Sequence, residues 1–336
     1  MKLRLQSERY FCIFNNQQFK YSLQTQLFKK QSKLSAGANN IKKGDIPRFF
    51  FSNVINIKQY SDIPSNINQN SQNEEVKTND QKELLLSGGG CAISYQAGYM
   101  HGLSEFIPKK ILKQYRVGGV SSGSCIASFF VCSVYSDKDM KYWYEKYVRE
   151  SLKQINNEIL GPFNATKYIK EQAMKAYAEA QNLKIPFNGT LHLYISPRKY
   201  VIGFTKQLID NFTDAQQFGE AISCSCAIPV VTTGKFSDVY QGISAVDGGF
   251  TMALPFRNQD SDCIFLNVLP KICSEFPVVR ERPDFLSVIH IDPEESLKFP
   301  KDYFNFSHQI ADEYFLRGYL SSHKQKQKLL RAFRIN

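Results

Sequence analysis

Apolar positions in this chain fall into two kinds of block: short continuous runs that suit buried strands, and longer runs with helical spacing. From residue 83 onward the two kinds alternate. A short run over 83–86 leads through Ser87-Gly88-Gly89-Gly90 into a helix-like stretch over 91–106. A second, Tyr115–Val120, turns at Ser121 into an apolar helix over Ser122–Tyr135 that carries Ile126, Ala127, Phe129, Phe130 and Val134. Downstream the pattern predicts a largely helical stretch over 137–181, paired strands over 191–196 and 200–204, and a helix over 215–224. An apolar strand then ends on Asp247, strands follow over 263–268 and 287–291, and a long C-terminal helix begins near residue 302. Strands and helices in this order predict an α/β protein built as a three-layer α/β/α sandwich.

Before residue 83 the pattern is different. Residues 61–82 are mostly polar, with Asn66, Asn68, Gln69, Asn70, Gln72 and Asn73 in close succession, too few apolar groups to offset the entropy of ordering them. They predict a disordered linker. Residues 1–60 form a basic N-terminal extension, and of the net charge of +11, nine Lys and Arg against Glu8 alone place +8 within residues 1–43. Charge confined to one end is not the basic stripe of a nucleic-acid groove, so no nucleic-acid partner is expected. An acid-poor leader rich in Ser and Gln has the composition of a mitochondrial transit peptide, with Arg48-Phe49-Phe50-Phe51-Ser52 a place for processing. A lysine- and asparagine-rich extension of biased composition is the alternative. The domain that remains is 83–336.

Candidate chemistry sits at glycines. Gly119-Val120-Ser121-Ser122-Gly123 fits G-x-S-x-G, in which a serine on a sharp strand-to-helix turn is flanked by glycines that leave it room. Ser121 is the candidate nucleophile, at the positive end of a helix dipole. Gly88, Gly89 and Gly90 expose consecutive backbone N–H groups that can hold an oxyanion. Other glycine readings fail: a dinucleotide fingerprint needs glycine at Ile93, and a P-loop needs lysine at Ser124. A base comes either from His290, which with Asp247 completes the chain order Ser, acid, His, or from Asp247 directly, on the tight turn Asp247-Gly248-Gly249. The cysteines show no C-x-x-C pairing and no His partner at zinc spacing, so they read as reduced core residues with no metal site.

These segments, together with Leu160-Gly161-Pro162-Phe163, Gly189-Thr190-Leu191-His192-Leu193, Ser223 to Pro229 and Arg317-Gly318-Tyr319, resemble the patatin-like phospholipase domain, in its adipose triglyceride lipase and adiponutrin branch. The resemblance covers roughly residues 82–325. It implies a patatin-like α/β/α sandwich and a Ser121/Asp247 dyad, which favours Asp247 over a His290 triad. It also implies an oxyanion hole at Gly88 to Gly90, elbow and turn glycines at Gly119, Gly123, Gly248 and Gly249, and no cofactor. The activity implied is lipid acyl hydrolysis through a Ser121 acyl-enzyme with Asp247 as base. Two departures touch the site. Ile93 replaces a glycine of the loop and is costly if a positive φ is needed there. Ala253 replaces an asparagine whose amide could bond across the site. They leave open a catalytically silent lipid-binding or scaffold subunit, and a lipid acyltransferase is a third reading.

No segment approaches the roughly 20 apolar residues of a membrane span. Lipid ester substrates would therefore be met at the surface of a membrane or lipid droplet, from a mitochondrial location or otherwise a cytoplasmic, peripheral one, with any protein activator unidentified. Two stretches are candidate contacts. One is Tyr142, Trp143, Tyr144 and Tyr147 among Lys141, Lys146 and Arg149; the other is the C-terminal helix, with Leu329, Leu330 and Phe333 opposite its lysines and arginines. Each competes with plain packing of an apolar helix face on the core.

Overall fold

The computed structural model describes residues 82–199, 203–251, 256–257, 263–269, 288–291, 297–298 and 301–335. The N-terminal extension and all of the linker but its last residue lie outside them. Lys82 belongs to the domain, because it opens the first strand.

A nine-stranded mixed sheet organises the chain, in the order β6-β7-β3-β2-β1-β8-β9, with β4 and β5 also paired to β3. At its centre lie β1 (Lys82–Leu86), β2 (Tyr115–Val120), β3 (Leu191–Lys199) and β8 (Cys263–Leu266), parallel to one another, with β9 (Val288–Ile291) extending the parallel part. Leu84, Leu85 and Leu86 are all buried, as is every residue of β8. Strands covered on both faces read as unbroken apolar runs, which is why these were visible in the sequence. The remaining strands are antiparallel neighbours of β3 or of each other: β4 (Gly203–Phe204), β5 (Gln207–Ile209), β6 (Asp238–Tyr240) and β7 (Ile243–Asp247). Strands β5 and β6 are too short to show a period.

Helices α1 (Ile93–Phe106), α2 (Ser122–Tyr135), α3 (Glu150–Asn157), α4 (Ala165–Asn182), α5 (Ala215–Ser225), α6 (His308–Lys324) and α7 (Lys326–Ala332) flank the sheet. The expected single C-terminal helix from residue 302 instead starts at His308 and breaks at Gln325, whose Oε1 accepts the buried Tyr99 hydroxyl at 3.1 Å. Asp302 is a turn residue. Its carboxylate accepts the Lys298 N–H at 2.7 Å and the Tyr314 hydroxyl at 2.6 Å. Trp143, Tyr144 and Tyr147 are buried, as are Leu329 and Phe333, so both stretches considered as lipid contacts pack on the core.

Arg317-Gly318-Tyr319 has a packing role. Where α1 crosses α6, Gly318 meets the Tyr95 carbonyl and Gly98 meets the Phe315 carbonyl with no room for a Cβ. A methyl group at either position must push two helix backbones apart. We expect Gly318→Ala to lower stability by about 1–3 kcal/mol in urea unfolding; an unchanged midpoint would show that the crossing can relax.

Candidate active site

Strand β2 ends at Val120, and helix α2 begins at Ser122, so Ser121 takes the whole change of direction. Its φ of 55° and ψ of −134° are strained for a residue with a Cβ. Neighbours enforce the turn. The Ser121 N–H donates to Ser225 Oγ at 3.0 Å, and Ser225 Oγ donates to the Tyr194 carbonyl at 2.7 Å. On the other side the Ser121 carbonyl accepts the Ser124 N–H at 2.9 Å and the Ser124 hydroxyl at 2.6 Å. The flanking glycines supply space: a side chain at Gly119 would strike the Gly123 carbonyl, and one at Gly123 the Leu86 and Ser87 carbonyls.

Register brings Asp247 to this turn. Val120 is level with Tyr194 on β3, and the next residue, Ile195, pairs with Asp247 at the end of β7. Gly248 then abuts the Tyr194 carbonyl and the Val120 side chain. The Asp247 backbone is tied at both ends, its N–H to the Ala227 carbonyl at 2.9 Å and its carbonyl to the Ser196 hydroxyl at 2.9 Å. Oδ1 accepts the Gly249 N–H at 2.7 Å, whereas Oδ2 is buried and makes no hydrogen bond of good geometry to any described group. Burial pushes the carboxyl up from 3.8 to about 7, opposed by the adjacent Ser121 hydroxyl and the Gly249 N–H. A carboxylate adjacent to a hydroxyl, with a pKa near neutrality, is suited to taking its proton.

The glycine loop follows β1 at the same edge of the sheet. Ser87 anchors it: its N–H donates to the Leu266 carbonyl at 3.1 Å, and its hydroxyl accepts the Val268 N–H at 2.8 Å. Beyond the loop, the Cys91 N–H donates to the Tyr303 carbonyl at 2.9 Å and the Ala92 N–H to the Gly89 carbonyl at 3.0 Å. The N–H groups of Gly88, Gly89 and Gly90 donate to no described group. Gly88 lies against Ser121, since a Cβ there would sit 2.8 Å from Ser121 Cβ. These amides are therefore available where negative charge would form on an attacked carbonyl.

A narrow apolar slot of about 80 Å3 is lined at one point by Ser121. Phe129 of α2, Val148 of a π-helical turn over Tyr144–Arg149, Leu152 of α3, Ala173 of α4 and Ile222 of α5 line its walls. It has the shape and polarity to hold an alkyl chain. Among the described residues no group of three or more His, Cys, Asp or Glu could hold a metal ion, and the six described cysteines are free and buried.

His290 lies on edge strand β9, three strand spacings and roughly 14 Å from β2. The sheet thus brings Asp247, and not His290, to Ser121. Ile93 corrects the expectation of a strained loop residue, since its φ is −49° and the positive φ of the loop, +54°, falls on Gly90. Ile93 instead lines the slot. Ala253 lies outside the described residues. Ser225 and the slot walls were not singled out from the sequence; the run Ser223 to Pro229 held Ser225, but nothing there marked its bond to the elbow.

Residues 84–258, half of the chain, match the protein-family model described as Patatin-like phospholipase. A human omega-hydroxyceramide transacylase is 27% identical over 175 residues, which cover 51% of this chain and 31% of that protein. The chain thus spans about a third of that relative's length. Among solved structures, a chain of the ExoU–SpcU complex from the type III secretion system of Pseudomonas aeruginosa is 16% identical, with 75% of this chain and 52% of that chain covered at a TM-score of 0.37. VipD from Legionella pneumophila is 13% identical, with 76% and 67% covered at a TM-score of 0.34.

A raised carboxyl pKa has a consequence for stability. Between 3.8 and about 7 the folded state holds a proton that the unfolded chain has released, so this group makes stability fall as pH rises through that window. We expect Asp247→Asn to be more stable than the parent at pH 8, by up to about 4 kcal/mol, and indistinguishable from it below pH ~4. Urea unfolding at both pH values is the check; no gain at pH 8 would mean that the carboxyl titrates normally.

Proposed function

The chain belongs to the patatin-like phospholipase family, and from that premise we propose that it is a serine acyl hydrolase of lipid esters, with Ser121 as nucleophile and Asp247 as its base. The observation that carries this reading is the meeting of a strained serine, which lines an apolar slot, with a buried carboxylate adjacent to its hydroxyl. With the alkyl chain in the slot, the ester carbonyl lies against Ser121. Asp247 takes the hydroxyl proton as Oγ bonds to the carbonyl carbon, and the Gly88 to Gly90 amides hold the oxyanion. The bond to the alcohol oxygen breaks, that oxygen receives the proton from Asp247, and the acyl group remains on Ser121. Water then attacks the acyl carbon and gives a proton to Asp247; the bond to Ser121 Oγ breaks, Oγ takes that proton, and the fatty acid leaves with both residues restored.

An alcohol in place of that water gives transfer instead of hydrolysis, and the reaction named for the human relative supports this second reading. Supplying a lysolipid or monoacylglycerol acceptor separates the two by product.

Fatty-acid release from mixed phospholipid and triacylglycerol emulsions tests the proposal. Ser121→Ala should remove release by a factor of at least about 10³, and the parent rate should climb with pH through about 7 as Asp247 ionises. Release that survives Ser121→Ala would end the proposal. Ala173→Phe, which fills the slot, should suppress long acyl chains while sparing short ones; equal loss on both would mean that the slot does not hold the acyl group.

A further inference from the structure

Two neighbouring surface segments carry exposed large apolar side chains. Ile159 and Leu160, 54% and 56% exposed, lie on the turn between α3 and α4, and Phe236, 69% exposed, lies on the loop after α5. The Thr166 N–H joins the segments by donating to the Thr232 carbonyl at 3.1 Å, and Gly234 packs on the Phe163 carbonyl. The same segments wall the slot, through Ala165 on one and Ile228 and Thr232 on the other. The exposed lysines Lys167 and Lys235 stand on the same two segments. Acids accompany them: Glu158 and Glu171 stand on the first segment around Tyr168, and Asp238 follows Phe236 on the second.

We infer that this rim docks the protein on a lipid bilayer, seating Ile159, Leu160 and Phe236 at the headgroup–acyl boundary with Lys167 and Lys235 among the headgroups. The inference rests on the acyl hydrolase reading and names the surface from which that slot draws its substrate. Water-exposed apolar tips gain by entering the boundary, and the mixed charges beside them suit the headgroup layer. The other exposed apolar pair on a helix, Leu316 and Leu320, stands on α6, which contributes no wall to the slot.

The test uses the full chain with Ser121→Ala, so that binding is read without turnover. Phe236→Trp places a reporter on the rim, while the chain's own tryptophan, Trp143, is fully buried. Vesicles of phosphatidylcholine and phosphatidylglycerol with brominated acyl chains should quench and blue-shift the reporter at 236 and leave Trp143 unchanged. Adding Leu160→Glu should weaken that titration about tenfold. Quenching requires insertion of the rim itself, so attachment through the basic residues 1–43 does not mimic it. No quenching at 236, or quenching indifferent to Leu160→Glu, overturns the inference. So does a dimer that Leu160→Glu dissociates while vesicle binding persists. Hydrolysis of a short water-soluble ester by the Leu160→Glu chain with Ser121 intact reports the active site separately, so failure of the rim and failure of the chemistry are distinguishable.

Discussion

The site hangs on a difference in length between two neighbouring strands. β2 stops at Val120, level with Tyr194, whereas β3 continues and pairs its next residue, Ile195, with Asp247. That single step of register sets a carboxylate beside the residue where β2 turns into α2. Residues 126 positions apart in the chain become neighbours because main-chain hydrogen bonds on both sides of β3 fix their height. Gly248 makes the fit possible, since a larger residue would collide with the Tyr194 carbonyl and Val120. The glycine loop reaches the same edge because β1 runs parallel to β2 and ends at the same level, Leu86 opposite Gly119.

Local energetics at this edge oppose folding. A non-glycine residue at positive φ costs on the order of 1–3 kcal/mol, and burial of the Asp247 carboxyl adds to that. Both features survive because the surroundings over-determine them. Leu84, Leu85 and Leu86 of β1 and all of β8 are buried, Ser225 and Ser124 grip the elbow from opposite sides, and the Asp247 backbone is bonded at its N–H and its carbonyl. The core supplies the stability, and the strain is concentrated at the elbow serine and the carboxyl beside it.

Features with a local signature were legible in the sequence. The strand, turn and helix around Ser121 were readable because a buried parallel strand is an unbroken apolar run and the elbow needs small residues at fixed offsets. Asp247 was visible as an aspartate on a tight turn, but its nearness to Ser121 depends on β3, which no local pattern encodes. The slot was not legible, because its walls come from several helices and a π-helical turn, and each wall residue alone looks like ordinary core. Ile93 read as a defect only because the residue needing positive φ was unknown; it is Gly90. The aromatic cluster near Trp143 and the C-terminal apolar residues had the composition of a membrane face and turned out buried, while the exposed tips at Ile159, Leu160 and Phe236 sit in turns with no amphipathic period.

Covalent capture tests the central claim, that Ser121 is a nucleophile activated by Asp247. The folded protein is treated with a fluorophosphonate, and the modified peptide is identified by mass spectrometry. Modification at Ser121 that slows severely in Asp247→Asn is the predicted result. Labelling at another serine, or equal labelling at Ser121 in Asp247→Asn, would contradict it.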